Sequence, residues 1–240
     1  MRLREKLGWI ALLYFAEGLP FGIAYDVWPV YFRVHGVSLR EIGFMSLLSL
    51  PWTLKLLWAP AVDRWGMRQH WIAAALTSLG LTTLVLPALD AAHPGPLLWA
   101  LMLAFTLASA TQDIAVDAYA VDLASPGEEG AINGMRVTAA RVALLLGGGG
   151  LITAAGWWGF EPLFALTGVL FFLLAGAAWF SPRVPLAANQ RRSPIKPVLR
   201  WLFRPQMVPV LAFTLLFKLG DSTLGRMVKP FWVDRGYSLE

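Results

Sequence analysis

The sequence contains no cysteine, which excludes a disulfide framework, thiolate chemistry and any cysteine metal site. Charge is nearly as scarce: Asp, Glu, Lys and Arg make up 15% of the 240 residues, against 57% hydrophobic residues and a mean hydropathy of +0.58. A soluble domain of this length needs a charged shell, and there are too few such residues to build one. Histidine is limited to His35, His70 and His93, all in predicted loops, and no serine has a base at a recognisable spacing. A membrane-embedded hydrolase or acyltransferase would need a nucleophile with its base, or a metal cluster, so the pattern points away from an enzyme. No cofactor and no metal is expected. Strict apolar–polar alternation is also lacking, which argues against a β-barrel.

Continuous apolar runs recur along the whole length instead, each near the roughly 20 residues that a helix needs to cross a bilayer. The expected fold is an all-α polytopic membrane protein with spans near 8–33, 41–62, 70–90, 96–122, 132–155, 160–181 and 207–234. The net charge of +5 does not indicate nucleic acid, because the basic residues cluster in short loops between the runs. Arg2, Arg4 and Lys6 precede the first span, Arg64 and Arg68 follow the second, and Arg183, Arg191, Arg192, Lys196, Arg200 and Arg204 follow the sixth. These are alternate loops, so the positive-inside rule places them and the N-terminus in the cytoplasm. Glu128 and Glu129 in the loop near 124–131 are a weak exception. The N-terminus begins like a signal peptide, but Glu17 and Pro20 interrupt its apolar part, so an uncleaved first span is expected.

Residues 182–206 are basic and carry prolines at 182, 185, 194 and 197, which marks a linker between 1–181 and 207–240. Across it, Pro29 followed by Gly36-Val37-Ser38-Leu39 recurs as Pro230 followed by Gly236-Tyr237-Ser238-Leu239. Six spans, a linker and a repeat suggest two six-span halves. The sequence stops where an eighth span is expected, so it reads as a fragment, a truncated product, or a chain whose C-terminal half a partner supplies.

The most telling feature lies inside the fourth run, where Gln112, Asp113 and Asp117 sit mid-span. Two aspartates at i and i+4 share one helix face. One charge at a helix centre costs about 2.5–3.5 kcal/mol on insertion scales, so two need a reason. The default reason is an ion or substrate path; the alternative is a buried ion-pair lock between helices. Counting depth at about 1.5 Å per residue puts Glu17 and Asp113 near mid-membrane and Asp117 nearer the cytoplasm. The same count sets Arg141 level with Asp113 and Arg136 level with Asp117. Those arginines differ by about 140° around their helix, so Arg141 is expected to pair or line the cavity and Arg136 to snorkel toward the interface. Lys55 is a second candidate partner, or it snorkels too.

Three stretches carry a family resemblance: Tyr14-Phe15-Ala16-Glu17-Gly18-Leu19-Pro20, Pro51-Trp52-Thr53-Leu54-Lys55-Leu56-Leu57-Trp58-Ala59-Pro60-Ala61-Val62-Asp63-Arg64, and Ala110-Thr111-Gln112-Asp113-Ile114-Ala115-Val116-Asp117-Ala118-Tyr119. The chain resembles the AmpG muropeptide permeases and the related acetyl-CoA transporters of the major facilitator superfamily. The resemblance implies a twelve-span protein, of which this chain carries the N-terminal six-helix bundle and a seventh span. It also implies import of anhydro-muropeptides across the inner membrane, with acetyl-CoA or another anionic solute as the alternative substrate and a transport-inactive remnant as the alternative fate. Asp63-Arg64-Trp65-Gly66-Met67-Arg68 is similar to the superfamily's loop signature, thought to latch the cytoplasmic gate, which makes Asp63, Arg64 and Arg68 gating candidates. Proton symport is expected, with Asp113, Glu17 and Asp117 as coupling candidates. Gln112, Arg141, Lys55, Asp26, Tyr25 and Trp52 are the cavity candidates. Tyr14, Trp28 and Tyr119 are further aromatics for stacking on substrate, though aromatics in spans more often pack. The expected partners are a muropeptide-like solute, protons and membrane lipid. Gly147 to Gly150 read as a place for close helix approach.

Overall fold

The computed structural model describes residues 1–184 and, beyond them, residues 204, 206–210, 212–213 and 216. Residues Met1–Arg192 and Ser193–Glu240 form separate compact units. In the second unit, residues 207–210 are helical. The rest of the seventh predicted span, its charges at Lys218, Asp221, Arg226 and Lys229, the second copy of the repeat and most of the linker lie outside the described residues.

Within the first unit, five helices are long and apolar enough to cross a membrane: Leu3–Val34, Arg68–Ala88, Pro96–Leu123, Glu129–Trp158 and Phe160–Trp179. In chain order these are the first, third, fourth, fifth and sixth helical rods. The second predicted span, 41–62, is helical but not continuous. It winds as Leu39–Met45, Leu50–Leu54 and Ala59–Arg64, with 3₁₀ turns at Ser46–Ser49 and Lys55–Leu57. Pro51 and Pro60 stand at the starts of the later pieces, where a missing N–H costs nothing, and each prevents the preceding turn from running on. Local chemistry sets the other boundaries. Ser38 accepts a hydrogen bond from the Glu41 N–H at 3.2 Å while the Glu41 carboxylate accepts from Ser38 N–H at 3.1 Å, closing a capping box. Gly159, with φ 82°, turns the chain back between the fifth and sixth rods in a conformation that a side chain would strain.

The first rod packs against the fourth and fifth, the third against the fourth and sixth, and the broken second rod lies along the fourth. Two crossings are close because small residues meet. A Cβ on Gly22 would lie 2.5 Å from the Gly147 carbonyl carbon, and one on Gly18 would lie 2.7 Å from the Ala143 Cβ. Gly18 and Gly22 thus form a G-x-x-x-G face against Ala143 and Gly147, four residues apart on the fifth rod. Both rods widen into a π-helical turn here, Ile23–Val27 and Leu146–Gly150, and Asp26 lies so close to Gly148 that a Cβ there would strike its carboxylate. Gly80 and Gly168 make the second close crossing, between the third and sixth rods. Gly147 and Gly148 therefore serve packing, whereas Gly149 faces open space.

Gly22→Val is expected to destabilise the bundle by about 1–3 kcal/mol, since backbone atoms cannot move aside as a side-chain tip can. Thermal unfolding in detergent should show the loss, with Gly8→Ala, at a position open to solvent or lipid, as the unaffected control.

The bundle has an apolar core and an apolar exterior, with a few polar side chains buried inside. Leu56 and Leu57 are each 77% exposed, while Gln112 is fully buried and Asp113 nearly so. Such an exterior suits hydrocarbon, and it makes the buried polar side chains the place to look for function.

Candidate functional site

The fourth rod carries its two mid-helix aspartates toward different neighbours. Lys55 Nζ donates to Asp113 Oδ2 at 2.5 Å, and Arg136 Nη2 pairs with Asp117 Oδ1 at 2.9 Å. The Tyr14 hydroxyl also donates to Asp117 Oδ1, at 2.8 Å, and the Arg136 guanidinium lies over the Tyr14 ring, 5.0 Å from its centre. Glu17, one turn beyond Tyr14 on the first rod, completes the group: Glu17, Asp113 and Asp117 each place a carboxylate oxygen within 4.8 Å of the others. Its Oε2 is buried with no hydrogen-bond partner among the described residues. Three carboxylates therefore face two cations.

The break in the second rod aims Lys55. Trp52 and Trp58, three residues on either side of it, each donate an indole N–H to the fourth rod, to Ser109 Oγ and Thr111 Oγ1, both at 3.1 Å. These two clamps hold the 3₁₀ turn at Lys55 against the fourth rod, so the ammonium reaches Asp113 instead of the headgroup region. The spacing Trp-x-x-Lys-x-x-Trp is visible in the sequence, but only the partners on the fourth rod reveal its purpose.

The expected division between the two arginines is corrected. Arg136, expected to snorkel, bridges to Asp117, while Arg141 is exposed and makes no ion pair among the described residues. Arg136 is level with Asp117 and meets it beside Tyr14 of the first rod. Tyr25, Phe21 and Trp52 form a triangle of rings, with centres 4.6 Å apart for Phe21–Trp52, 5.6 Å for Tyr25–Trp52 and 6.2 Å for Phe21–Tyr25. Trp28 instead packs on Phe105 in the core, and the buried Tyr119 donates to the Pro182 carbonyl at 3.0 Å. Gln112 is buried with neither amide atom hydrogen-bonded among the described residues. Asp26 belongs to the close crossing described above rather than to the carboxylate group.

A second polar network closes the end of the bundle that bears the N-terminus. Arg68 reaches Asp63 at 2.8 Å, Asp122 at 3.3 Å and the Val62 carbonyl at 3.0 Å, tying the second, third and fourth rods together. Arg64 is exposed and forms no ion pair among the described residues. Nearby, Lys6 donates to Glu128 at 2.6 Å and to Ser125 Oγ at 2.7 Å, which accounts for the acidic loop that charge patterning left as an exception.

The Lys6 ammonium and the Ser125 backbone N–H hold the Glu128 carboxyl below the usual carboxylate range. A depressed carboxyl contributes stability that is complete above its ordinary pKa and is lost as pH falls through the folded value. The unfolding temperatures of the wild type and Glu128→Gln are thus expected to differ at neutral pH and to converge in acid. A difference that stays constant with pH would assign the effect to packing.

A sequence model of the Major Facilitator Superfamily matches residues 10–238. The chain belongs to this superfamily. It is a multi-pass membrane protein of the superfamily's all-α type. It is similar to the anhydromuropeptide permease of Escherichia coli (strain K12), with 29% identity over 237 residues covering 93% of this chain and 48% of the relative. It is also similar to the putative transporter AmpG 4 of Rickettsia felis, with 27% identity over 257 residues covering 95% of this chain and 60% of the relative. The chain thus spans about half the length of the curated relatives that it matches. The Arg68 network lies at the junction of the second and third rods, and the carboxylate group lies where the first, second, fourth and fifth rods converge.

Proposed function

We propose that the chain forms the N-terminal part of a proton-coupled secondary transporter that carries anhydro-muropeptides inward across the cytoplasmic membrane. Residues 1–181 are its six-span bundle, 182–206 a cytoplasmic linker, and 207–240 contribute the first span of a second bundle, with the N-terminus in the cytoplasm. The observation that carries the reading is the charge count at mid-bundle. Lys55 and Arg136 balance two of the three carboxylates, so the interior holds one negative charge too many unless one proton is bound. A site of that kind can change its charge by one when the bundle opens to the other side, which is what coupling requires. The Phe21–Tyr25–Trp52 rings supply an aromatic platform for a sugar, and Trp52 lies three residues before Lys55 on the second rod. The Asp63–Arg68–Asp122 network acts as the cytoplasmic latch.

The test is uptake by reconstituted vesicles with an imposed pH gradient, offered labelled anhydro-muropeptide and labelled acetyl-CoA in parallel. Gradient-dependent uptake of the muropeptide alone supports the reading. Uptake of acetyl-CoA alone would reassign the substrate, and uptake indifferent to pH would remove the proton.

A further inference from the structure

At the end of the bundle opposite the N-terminus, a cavity of about 470 Å³ opens between the end of the first rod, the loop after the third, and the turn joining the fifth to the sixth. Tyr31, His35, Trp158, Phe160 and Glu161 supply its aromatic and polar lining, and no Lys or Arg lines it. The Tyr31 ring meets Phe160 edge-on at 5.2 Å and His35 at 4.4 Å, so the aromatic wall is continuous. His35 Nδ1 lies 2.7 Å from the Tyr31 carbonyl oxygen. That oxygen only accepts, so Nδ1 carries the hydrogen. Glu161 makes no ion pair among the described residues. It stands in the first turn of the sixth rod, where a carboxylate suits the helix dipole. That accounts for its charge but not for the aromatic enclosure beside it. Trp157 and Trp158 are 76% and 64% exposed, as expected of indoles at a membrane–water interface.

Aromatic rings and a carboxylate with no ion-pair partner among the described residues together select against anions. An uncharged apolar guest would cover Glu161 without pairing it. A metal ion lacks ligands here, since the one group of three acidic or histidine ligands among the described residues is Glu17, Asp113 and Asp117. We propose that this cavity binds an alkylammonium group, the cation carried by an aminophospholipid headgroup or by a free primary amine. Aromatic rings attract such a cation through their quadrupole, and Glu161 supplies the counter-charge. The site is separate from the carboxylate group at mid-bundle and does not depend on the transport reading.

The test uses the purified chain in detergent. Native mass spectrometry with equimolar phosphatidylethanolamine and phosphatidylglycerol measures lipid retention, and thermal unfolding with added ethanolamine measures the free amine. Phosphatidylethanolamine is expected to be retained about fivefold over phosphatidylglycerol, and Glu161→Gln and Trp158→Ala are each expected to erase that preference. If ethanolamine instead raises the unfolding temperature, and Glu161→Gln removes the rise, the site stands with the diffusible amine as its source. The proposal is overturned if neither arm shows amine binding, or if binding persists unchanged in both variants.

Discussion

Glu17→Gln is expected to abolish accumulation of substrate against its gradient while leaving the bundle folded. The exchange is nearly isosteric, and the Glu17 Oε2 it alters has no hydrogen-bond partner to lose among the described residues. What it removes is the third carboxylate, and with it the excess of one negative charge over Lys55 and Arg136. One proton crossing a one-unit pH difference releases about 1.4 kcal/mol, enough to concentrate a neutral solute about tenfold in the absence of a membrane potential. The variant should reach only equal concentrations inside and out, while downhill exchange continues. Accumulation at the wild-type level, measured with labelled solute in vesicles, would exclude Glu17 as the coupling group.

Lys55→Met should destabilise the bundle far more than Arg136→Met. It strands Asp113, whose side chain is 10% exposed, and breaking a buried pair by deleting one partner costs about 3–5 kcal/mol. The low end is expected, because the Lys55 side chain is 28% exposed and water can partly replace it. Adding Asp113→Asn should recover most of the loss, giving strong non-additivity in a double-mutant cycle. Arg136→Met makes a contrast. Arg136 and Asp117 are 44% and 34% exposed, so that pair is worth about 0–1 kcal/mol, and Tyr14 still donates to Asp117 after its removal. Unfolding in detergent should therefore rank Lys55→Met well below Arg136→Met. The reverse order would mean that the Asp117 side of the cluster carries the structure.

The rods and the acidic pair were legible because both are local. Length and hydropathy locate a membrane helix, and i, i+4 spacing places Asp113 and Asp117 on one face whatever surrounds them. Lys55 was recognised as a partner for the acidic pair, yet its rival reading, snorkelling, could be dismissed only once Trp52 and Trp58 were seen bound to Ser109 and Thr111. Arg136 and Arg141 show where local reading fails. Their angle on one helix does not say which of them meets an aspartate, and the Arg136–Asp117 pair forms beside Tyr14, more than a hundred residues away in sequence. The close crossing of the first and fifth rods was half visible. The glycine run at 147–150 stands out in the sequence, whereas the part played by Gly18 and Gly22 shows only in their positions against Ala143 and Gly147. Glu128 likewise looked like an exception to the charge rule until Lys6 was found beside it.

If one exchangeable proton is shared within the Glu17–Asp113–Asp117 group, infrared difference spectroscopy across a pH titration of the purified chain should detect it through the carboxylic C=O band. The expected result is a single titrating carboxyl from this group, shifted in Lys55→Met and gone in Glu17→Gln. If no carboxyl of this group titrates in the wild type, Lys55→Met or Glu17→Gln, the group stays ionised throughout, and these carboxylates lock the helices together instead of moving a proton.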